Sequence, residues 1–376
     1  MRLNRIMINH LLILLVLIQV VENSKASVTF NDPGDQVNIG ILVPGPGSKS
    51  AIRGAELAVK KANDLGGMEG RPFQLIARTM EGPWGTGSKQ AVSLVFDEKV
   101  WAILGSHDGR NAHLVEQAAT KTTVVFVSAW AGDPTLSQAF VPWFFNCVPN
   151  DFQQAGALVD EIYVKRKLRL ASVVYDIDYD SKQAMGNFLK RVTIDNMPAP
   201  ILFSFENFAS DVNILSDKIN ESGAECVILF CNPLISRNIF LAMRNSKRRI
   251  PVFGPLLLLN EDILSENDLN GYNGYLMVPS EDWSDSKAIS FRNDFLDRYG
   301  VLPGAVAAYA YDAMTALINA IIKAGANDRE KIQQALSEID FEGVTGQVQF
   351  DNKGNRAGPV HVMNVHNGIP AVLKRN

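Results

Sequence analysis

Short apolar runs and longer amphipathic stretches take turns along most of this chain. Val37–Val43 is apolar almost throughout. It is followed by residues 51–65, where Ile52, Ala55, Ala58, Val59 and Ala62 recur at the i, i+3, i+4 spacing of one helix face. The same couplet returns as Phe73–Thr79 before helical 89–96 and as 101–105 before helical 112–120, and 123–128 supplies a fourth strand. Strands with little polar alternation, separated by helices, predict a parallel sheet covered on both faces. Punctuation clusters from Pro142 to Pro149, and then the rhythm restarts. Residues 168–175, 201–205, 225–231 and 251–254 read as strands, between helical 151–165, 181–192, 212–222 and 236–245. A second α/β unit is therefore expected. From Gly271 the pattern changes to a strand at 274–279, helical segments at 288–298, Ala305–Ala324 and 329–339, and a strand at 346–351. Three helical segments in a row cannot build a third α/β domain. They are expected to complete the two sheets already begun, with the chain crossing between lobes more than once.

Composition narrows the class. The 376 residues are 47% hydrophobic and 20% charged, ordinary for a soluble globular chain and long enough for two cores. A formal net charge of -4 offers no basic footprint for nucleic acid, and Lys247-Arg248-Arg249 reads as a solvated helix end. At the start of the chain, Arg2 and Arg5 precede an apolar stretch over 11–21, and Ser24-Lys25-Ala26 places small residues where a signal peptidase reads. A signal peptide over 1–26, cleaved after Ala26, is expected; the apolar stretch is shorter than the roughly 17–25 residues of a spanning helix. Export would expose three cysteines to oxidation, yet Cys226 and Cys231 fall on one strand, some 16 Å apart at about 3.3 Å per residue, and on opposite faces. Three buried thiols are expected.

The opening segments carry further detail. Ile39-Gly40-Ile41-Leu42-Val43-Pro44 runs on to Arg53-Gly54-Ala55-Glu56-Leu57-Ala58-Val59, and the helix ends in Asn63-Asp64-Leu65-Gly66-Gly67-Met68-Glu69-Gly70. With Ala102-Ile103-Leu104-Gly105-Ser106, Val127-Ser128 before Asp133-Pro134, Tyr309-Ala310-Tyr311-Asp312-Ala313 and Phe341-Glu342-Gly343-Val344-Thr345-Gly346, these segments resemble the branched-chain amino acid (Leu/Ile/Val) binding proteins, a family of type I periplasmic binding proteins. The matches keep the family's order over nearly the whole mature chain. The resemblance implies two Rossmann-like α/β lobes with parallel sheets, joined by three crossovers near 148–150, 279–280 and 342–345. The first lobe would comprise 27–148 with 280–341, and the second 149–279 with 342–376. It further implies a periplasmic, monomeric, non-catalytic protein without a cofactor, which carries a small-molecule ligand to the membrane permease of an ABC importer by hinge closure.

Ligands of open parallel sheets bind beyond the carboxyl ends of the strands, where helix N-termini also point. That rule nominates the loops 44–50, 82–87, 106–111 and 129–133 in the first lobe and 177–181, 232–236 and 255–259 in the second, with Ser48, His107 and Asn232 among their polar residues. The family's loops that grip a ligand carboxylate correspond to Gly109, Arg110 and Asn111 and to Trp130, Ala131 and Gly132, and its stacking tyrosine corresponds to Tyr179. The family's acid for an α-ammonium group falls at Leu256, so that charge is gone. Arg110 near a helix N-terminus suits an anion, and Trp84 and Trp130 in loops can wall a pocket. These features favour a small carboxylate with an apolar or aromatic body over a free amino acid.

Other chemistry finds little support. His10, His107, His113, His361 and His366 lack metal-ligand spacing, and Ser106-His107-Asp108 are sequence neighbours that cannot easily form the hydrogen-bonded line of a triad. Pro44-Gly45-Pro46-Gly47-Ser48-Lys49-Ser50 lacks the order of a phosphate loop; Ser48 or Ser50 reads as a helix cap that also reaches a ligand. The rival readings are a sensory receptor subunit of the same fold and an exported α/β enzyme using Asp108, His107 or Asp176.

Overall fold

A computed structural model describes residues 36–371, apart from 139–140, 209–210, 247, 282 and 284. The signal segment expected over 1–26 lies outside the described residues. The first sheet is built from β1 (Val37–Val43), β2 (Phe73–Thr79), β3 (Ala102–Gly105), β4 (Val125–Ser128) and β5 (Phe144–Asn146), all parallel, in the order β2-β1-β3-β4-β5. Helices α1 (Lys49–Asp64), α2 (Thr86–Phe96) and α3 (Gly109–Thr122) make the crossovers. Strand β1 sends Val37, Ile39, Ile41 and Val43 into one apolar cluster and Leu42 into another, which is why it reads as apolar throughout. The three-residue β5 lies inside the stretch expected to be punctuation, too short for its period to register.

The second unit continues through α4 (Asp151–Val159), which runs into a π-helical turn over Asp160–Lys165, then β6 (Ala171–Tyr175), α5 (Tyr179–Ile194), β7 (Ile201–Ser204), α6 (Val212–Glu221), β8 (Cys226–Phe230), α7 (Pro233–Asn245), β9 (Val252–Phe253), α8 (Glu266–Gly271) and β10 (Leu276–Ser280). Next come α9 (Ser286–Tyr299), α10 (Ala305–Ala324), α11 (Arg329–Ser337), a hairpin of β11 (Asp340–Gly343) and β12 (Gly346–Gln349), and finally β13 (His361–His366) and β14 (Ile369–Ala371). The larger sheet has the order β14-β13-β10-β9-β8-β6-β7, parallel from β7 to β10 and antiparallel at β13 and β14. Cys147, Cys226 and Cys231 are buried free thiols.

Helix α10 is long and apolar enough to cross a membrane, yet most of it is buried inside the protein, so here it serves as a core helix. It lies close against α1: a Cβ on Gly54 would stand 2.2 Å from the Ala307 carbonyl oxygen, so only glycine permits this approach. The third crossover comes later than the expected 342–345. Val348 and Phe350, on and just past β12, belong to the first lobe's core, and the chain joins the larger sheet only at His361. The hairpin stays behind because its apolar face is covered there.

All three connections meet at one side chain. Arg356, 2% exposed, donates to the carbonyl of Cys147 at 2.9 Å, to the hydroxyl and carbonyl of Thr345 at 2.8 Å each, and to Glu281 Oε1 at 3.2 Å. Beside it Asp312, fully buried, accepts from the Val344 and Thr345 amides at 2.9 and 2.8 Å and from the Thr345 hydroxyl at 2.6 Å. A Cβ on Gly343 would stand 2.5 Å from Asp312 Oδ2, so glycine is required there. Removing one member of such a buried ionic set leaves the others without compensation. Arg356→Ala is therefore expected to lower unfolding free energy by about 3–5 kcal/mol in urea titration. Arg356→Lys should rescue only part of the loss, since an ammonium cannot reproduce the planar fork.

Candidate functional site

In each sheet the strand order reverses about an inner strand, β1 between β2 and β3 and β6 between β7 and β8, and the loops beyond these carboxyl ends form the crevice of such folds. A narrow cleft with about 20 Å³ of solvent-accessible space lies between the lobes. Its apolar walls are Trp130, Val148, Leu256 and Leu257; its polar groups are Asp151, Gln154 and Asp180, with Gly132 at one edge. Gln154 is engaged within the protein, accepting from the Leu256 amide at 2.8 Å and donating to the Pro149 carbonyl at 2.8 Å.

Carboxylates from the second lobe close the crevice by meeting helix N-termini on the other side. Asp180 Oδ1 accepts from the Gly109 amide at 2.9 Å, at the start of α3. Asp262 Oδ1 accepts from the Ser50 amide at 2.9 Å, at the start of α1. Glu261 accepts from the amides of Gly304, Val306 and Ala307 at 3.2, 2.9 and 2.8 Å, at the start of α10. Free amides and the helix dipole make each of these termini an anion site. Tyr179 adds a further bond across the crevice, donating to Asp133 Oδ2 at 2.8 Å.

The residues singled out in the sequence divide among several places. Trp130, Gly132 and Leu256 line the cavity. Trp84, 74% exposed, joins Arg110, Asn111 and Tyr179 around a separate outer groove of about 400 Å³. The anion grip expected at Gly109, Arg110 and Asn111 is already engaged. Gly109 bonds Asp180, the Asn111 amide donates to Asp108 Oδ1 at 2.9 Å, and the Arg110 guanidinium lies over the Tyr179 ring at 5.2 Å. Ala131 is buried, its amide donating to Ser128 Oγ at 3.2 Å and its carbonyl accepting from Asn146 at 3.0 Å. His107 is buried and stacked on Phe126 at 5.9 Å, and burial lowers its pKa, so it stays neutral. Asn232 caps α7 through the Ile235 amide at 3.0 Å and donates its own amide to Asp176 at 2.7 Å, outside the cavity lining. Ser48 occupies the cap position of α1 without a side-chain cap bond; Asp262 from the other lobe serves that helix instead.

Two acids that the sequence reading passed over dominate the cavity. Asp151 is 6% exposed, and among the described residues it is the one buried carboxylate without a side-chain hydrogen bond or cation. Burial, with the charges of Asp180 and Asp133, pushes its pKa well above the ordinary value. Asp180 is pushed up to about 7 by burial and by Asp108, Asp178 and Asp133, against the lowering effect of the Gly109 amide. Asp133 is the satisfied counterexample. Burial alone would raise it, but bonds from His113, Thr135 and Tyr179 hold it down at about 2. Its partner His113 is lifted to about 9, first by Asp133 and then by Glu116.

These shifts fix a pH dependence. Asp180, and likewise Glu261, which burial lifts to about 7, contribute stability that is present below their ordinary values of 3.8 and 4.5 and is lost as pH rises through 7. Asp133 gives a constant contribution above 3.8 and His113 a constant one below 6.5, so neither sets the slope between. The melting temperature of Asp180→Asn, relative to the native chain, is therefore expected to climb from about pH 4 to about pH 8 in thermal scans without ligand. A constant difference would show that Asp180 is solvated.

Comparison with known proteins agrees with this architecture. A family profile described as periplasmic binding protein matches residues 36–368. The Leu/Ile/Val-binding protein homolog 1 of Brucella abortus is 24% identical over 339 residues, covering 87% of this chain and 89% of its own. Among solved structures, the branched-chain amino acid transporter substrate binding protein LivJ of Streptococcus pneumoniae, in complex with isoleucine, superposes with a TM-score of 0.73 at 20% identity over 89% of this chain and 97% of its own. The solute binding protein of an ABC transporter from R. palustris, in complex with benzoate, gives 0.73 at 18% identity over 90% and 95%. The structural likenesses show the fold, and the profile covers both lobes from the first strand to the last hairpin: the chain belongs to the periplasmic binding protein family.

Proposed function

We propose that this protein is exported to the periplasm and, as a monomer, delivers a small organic ligand with an apolar or aromatic body to the permease of an ABC importer, without chemical change to the ligand. The observation that carries this reading is the cavity between the two sheet edges, whose walls come from both lobes: Trp130 and Gly132 from the first, Asp151, Gln154, Asp180 and Leu256 from the second. A ligand that touches both walls at once favours the closed form, because only differential affinity shifts an equilibrium between open and closed lobes. Family membership and the ligands named for the solved structures, isoleucine and benzoate, support a small-molecule ligand. A carboxylate end, the expectation raised by Arg110, would have to displace Asp180 from the Gly109 amide.

The test is to unfold the purified protein, identify released small molecules by mass spectrometry, and return each to the refolded protein in thermal scans. A raised melting temperature with the compound recovered intact is expected. Turnover of the recovered compound would overturn the reading in favour of an enzyme.

A further inference from the structure

The cavity carries a charge pattern that says what its ligand brings. Among the described residues the other buried carboxylates are each matched: Asp133 by His113, Thr135 and Tyr179, Glu161 by Arg166 at 2.8 Å, Glu116 by His113 at 3.4 Å, Asp176 by the Asn232 amide, and Asp312 by Arg356 and its amides. Asp151 has no such partner, and the charges acting on it are those of other acids. Nor can it easily turn away, because its Oδ1 lies 2.4 Å from where a Cβ on Gly132 would stand, wedged against that backbone. A buried carboxylate left in this state costs free energy until a proton or a cation reaches it. Asp180 faces the same space, and no basic side chain lines it.

Asp180 adds a second constraint. In the family that the sequence resembles, the start of α3 holds the carboxylate of an amino acid ligand; here its Gly109 amide is held by the protein's own carboxylate. A ligand carboxylate would enter a space that already contains two acids and no base.

We propose that the cavity selects an organic cation, a small primary amine lacking a carboxylate, whose ammonium group bonds Asp151 and Asp180 while its apolar body lies against Trp130, Val148, Leu256 and Leu257. The proposal rests on the solute-binding reading above and names the ligand class for that site. A primary ammonium supplies the N–H donors that Asp151 lacks, which a quaternary ammonium cannot. The Trp130 ring adds a face that attracts a cation. A divalent metal is disfavoured, since no group of three or more metal-ligating side chains occurs among the described residues.

Two matched triads test this with the whole mature chain: isoamylamine, leucine and isocaproate, and phenethylamine, phenylalanine and hydrocinnamate. Within each triad the compounds differ by removal of one charged group. Thermal scans and calorimetry are expected to show binding by at least one amine, with the amino acid and the acid of the same triad weaker by about tenfold or more. Asp151→Asn and Asp180→Asn should each weaken amine binding about tenfold or more. Should either variant fold poorly, the native chain gives an independent readout: amine affinity rises from about pH 5 to about pH 8 as Asp180, lifted to about 7, ionises while the ammonium stays charged. Tighter binding by the acid or amino acid, or stabilisation by magnesium or calcium chloride that EDTA reverses, overturns the cation proposal and leaves the solute-binding reading standing. If no amine binds, the cation proposal also falls. If, in addition, the unfolded protein releases no small molecule and none of the six compounds binds, the solute-binding reading falls with it.

Discussion

The fork of Arg356 joins segments that the chain topology would otherwise leave to separate lobes. Its nitrogens reach Cys147 on the first connection, Glu281 on the second and Thr345 on the β11–β12 hairpin, and the residue itself sits on the third connection. Five fixed N–H donors suit such a junction, whereas a point charge on a flexible stem would not hold two backbone carbonyls and a carboxylate in register. Asp312 supplies the opposing charge, and burial raises its pKa while Arg356 and the amides of Val344 and Thr345 lower it. Any rotation of one lobe against the other pivots beside this knot, since all three connections pass through it. The cavity starts beside the first connection, at Val148.

On the far side of the pivot, the crevice is closed by complementary ends rather than by paired ions. Asp180, Glu261 and Asp262 each meet a helix N-terminus of the first-lobe helices α3, α10 and α1. Such contacts are favourable for ionised carboxylates but compete with the cost of burial. For Glu261, burial wins despite three amide donors. Apolar contact joins the lobes as well, with Leu57, Ala305 and Tyr309 in one cluster with Val227 and Leu258.

Most strands were legible because they alternate with helices of clear period, so the strands Val37–Val43 and Phe73–Thr79 and the helix Ala305–Ala324 agree with the structure end to end. Strand β13 was not, although its burial alternates in part between exposed His361, buried Val362 and Met363, half-buried Asn364, buried Val365 and exposed His366. As an antiparallel strand added late in the chain, it lacks the couplet with a following helix that marks its neighbours. The motif around Tyr309 and the one around Glu342 were both visible, but that they meet through Asp312 and Thr345 belongs to the fold. At the site, the sequence singled out Trp130, Gly132 and Leu256, which line the cavity, and passed over Asp151 and Asp180, which line it too. Asp151 and Asp180 each stand at the start of a helix, where an acid ordinarily reads as a favourable first-turn residue. Only the packing of the two lobes shows that Asp151 has no side-chain partner and that Asp180 and Leu256 share its cavity.

The placement of Asp180 links charge to closure. It belongs to the second lobe and the Gly109 amide to the first, so the proposed hinge opening would break their bond and return the carboxylate to water, where its pKa would fall back toward 3.8. In the closed form the same carboxylate is brought into the space that Asp151 faces, and ionising both there is costly. On the proposed reading, a cation between them would remove that cost only where the lobes are together, because an open form would separate the walls that hold it. Affinity for the closed form then exceeds affinity for the open form by the repulsion relieved, and that difference is what a ligand needs in order to close a hinge.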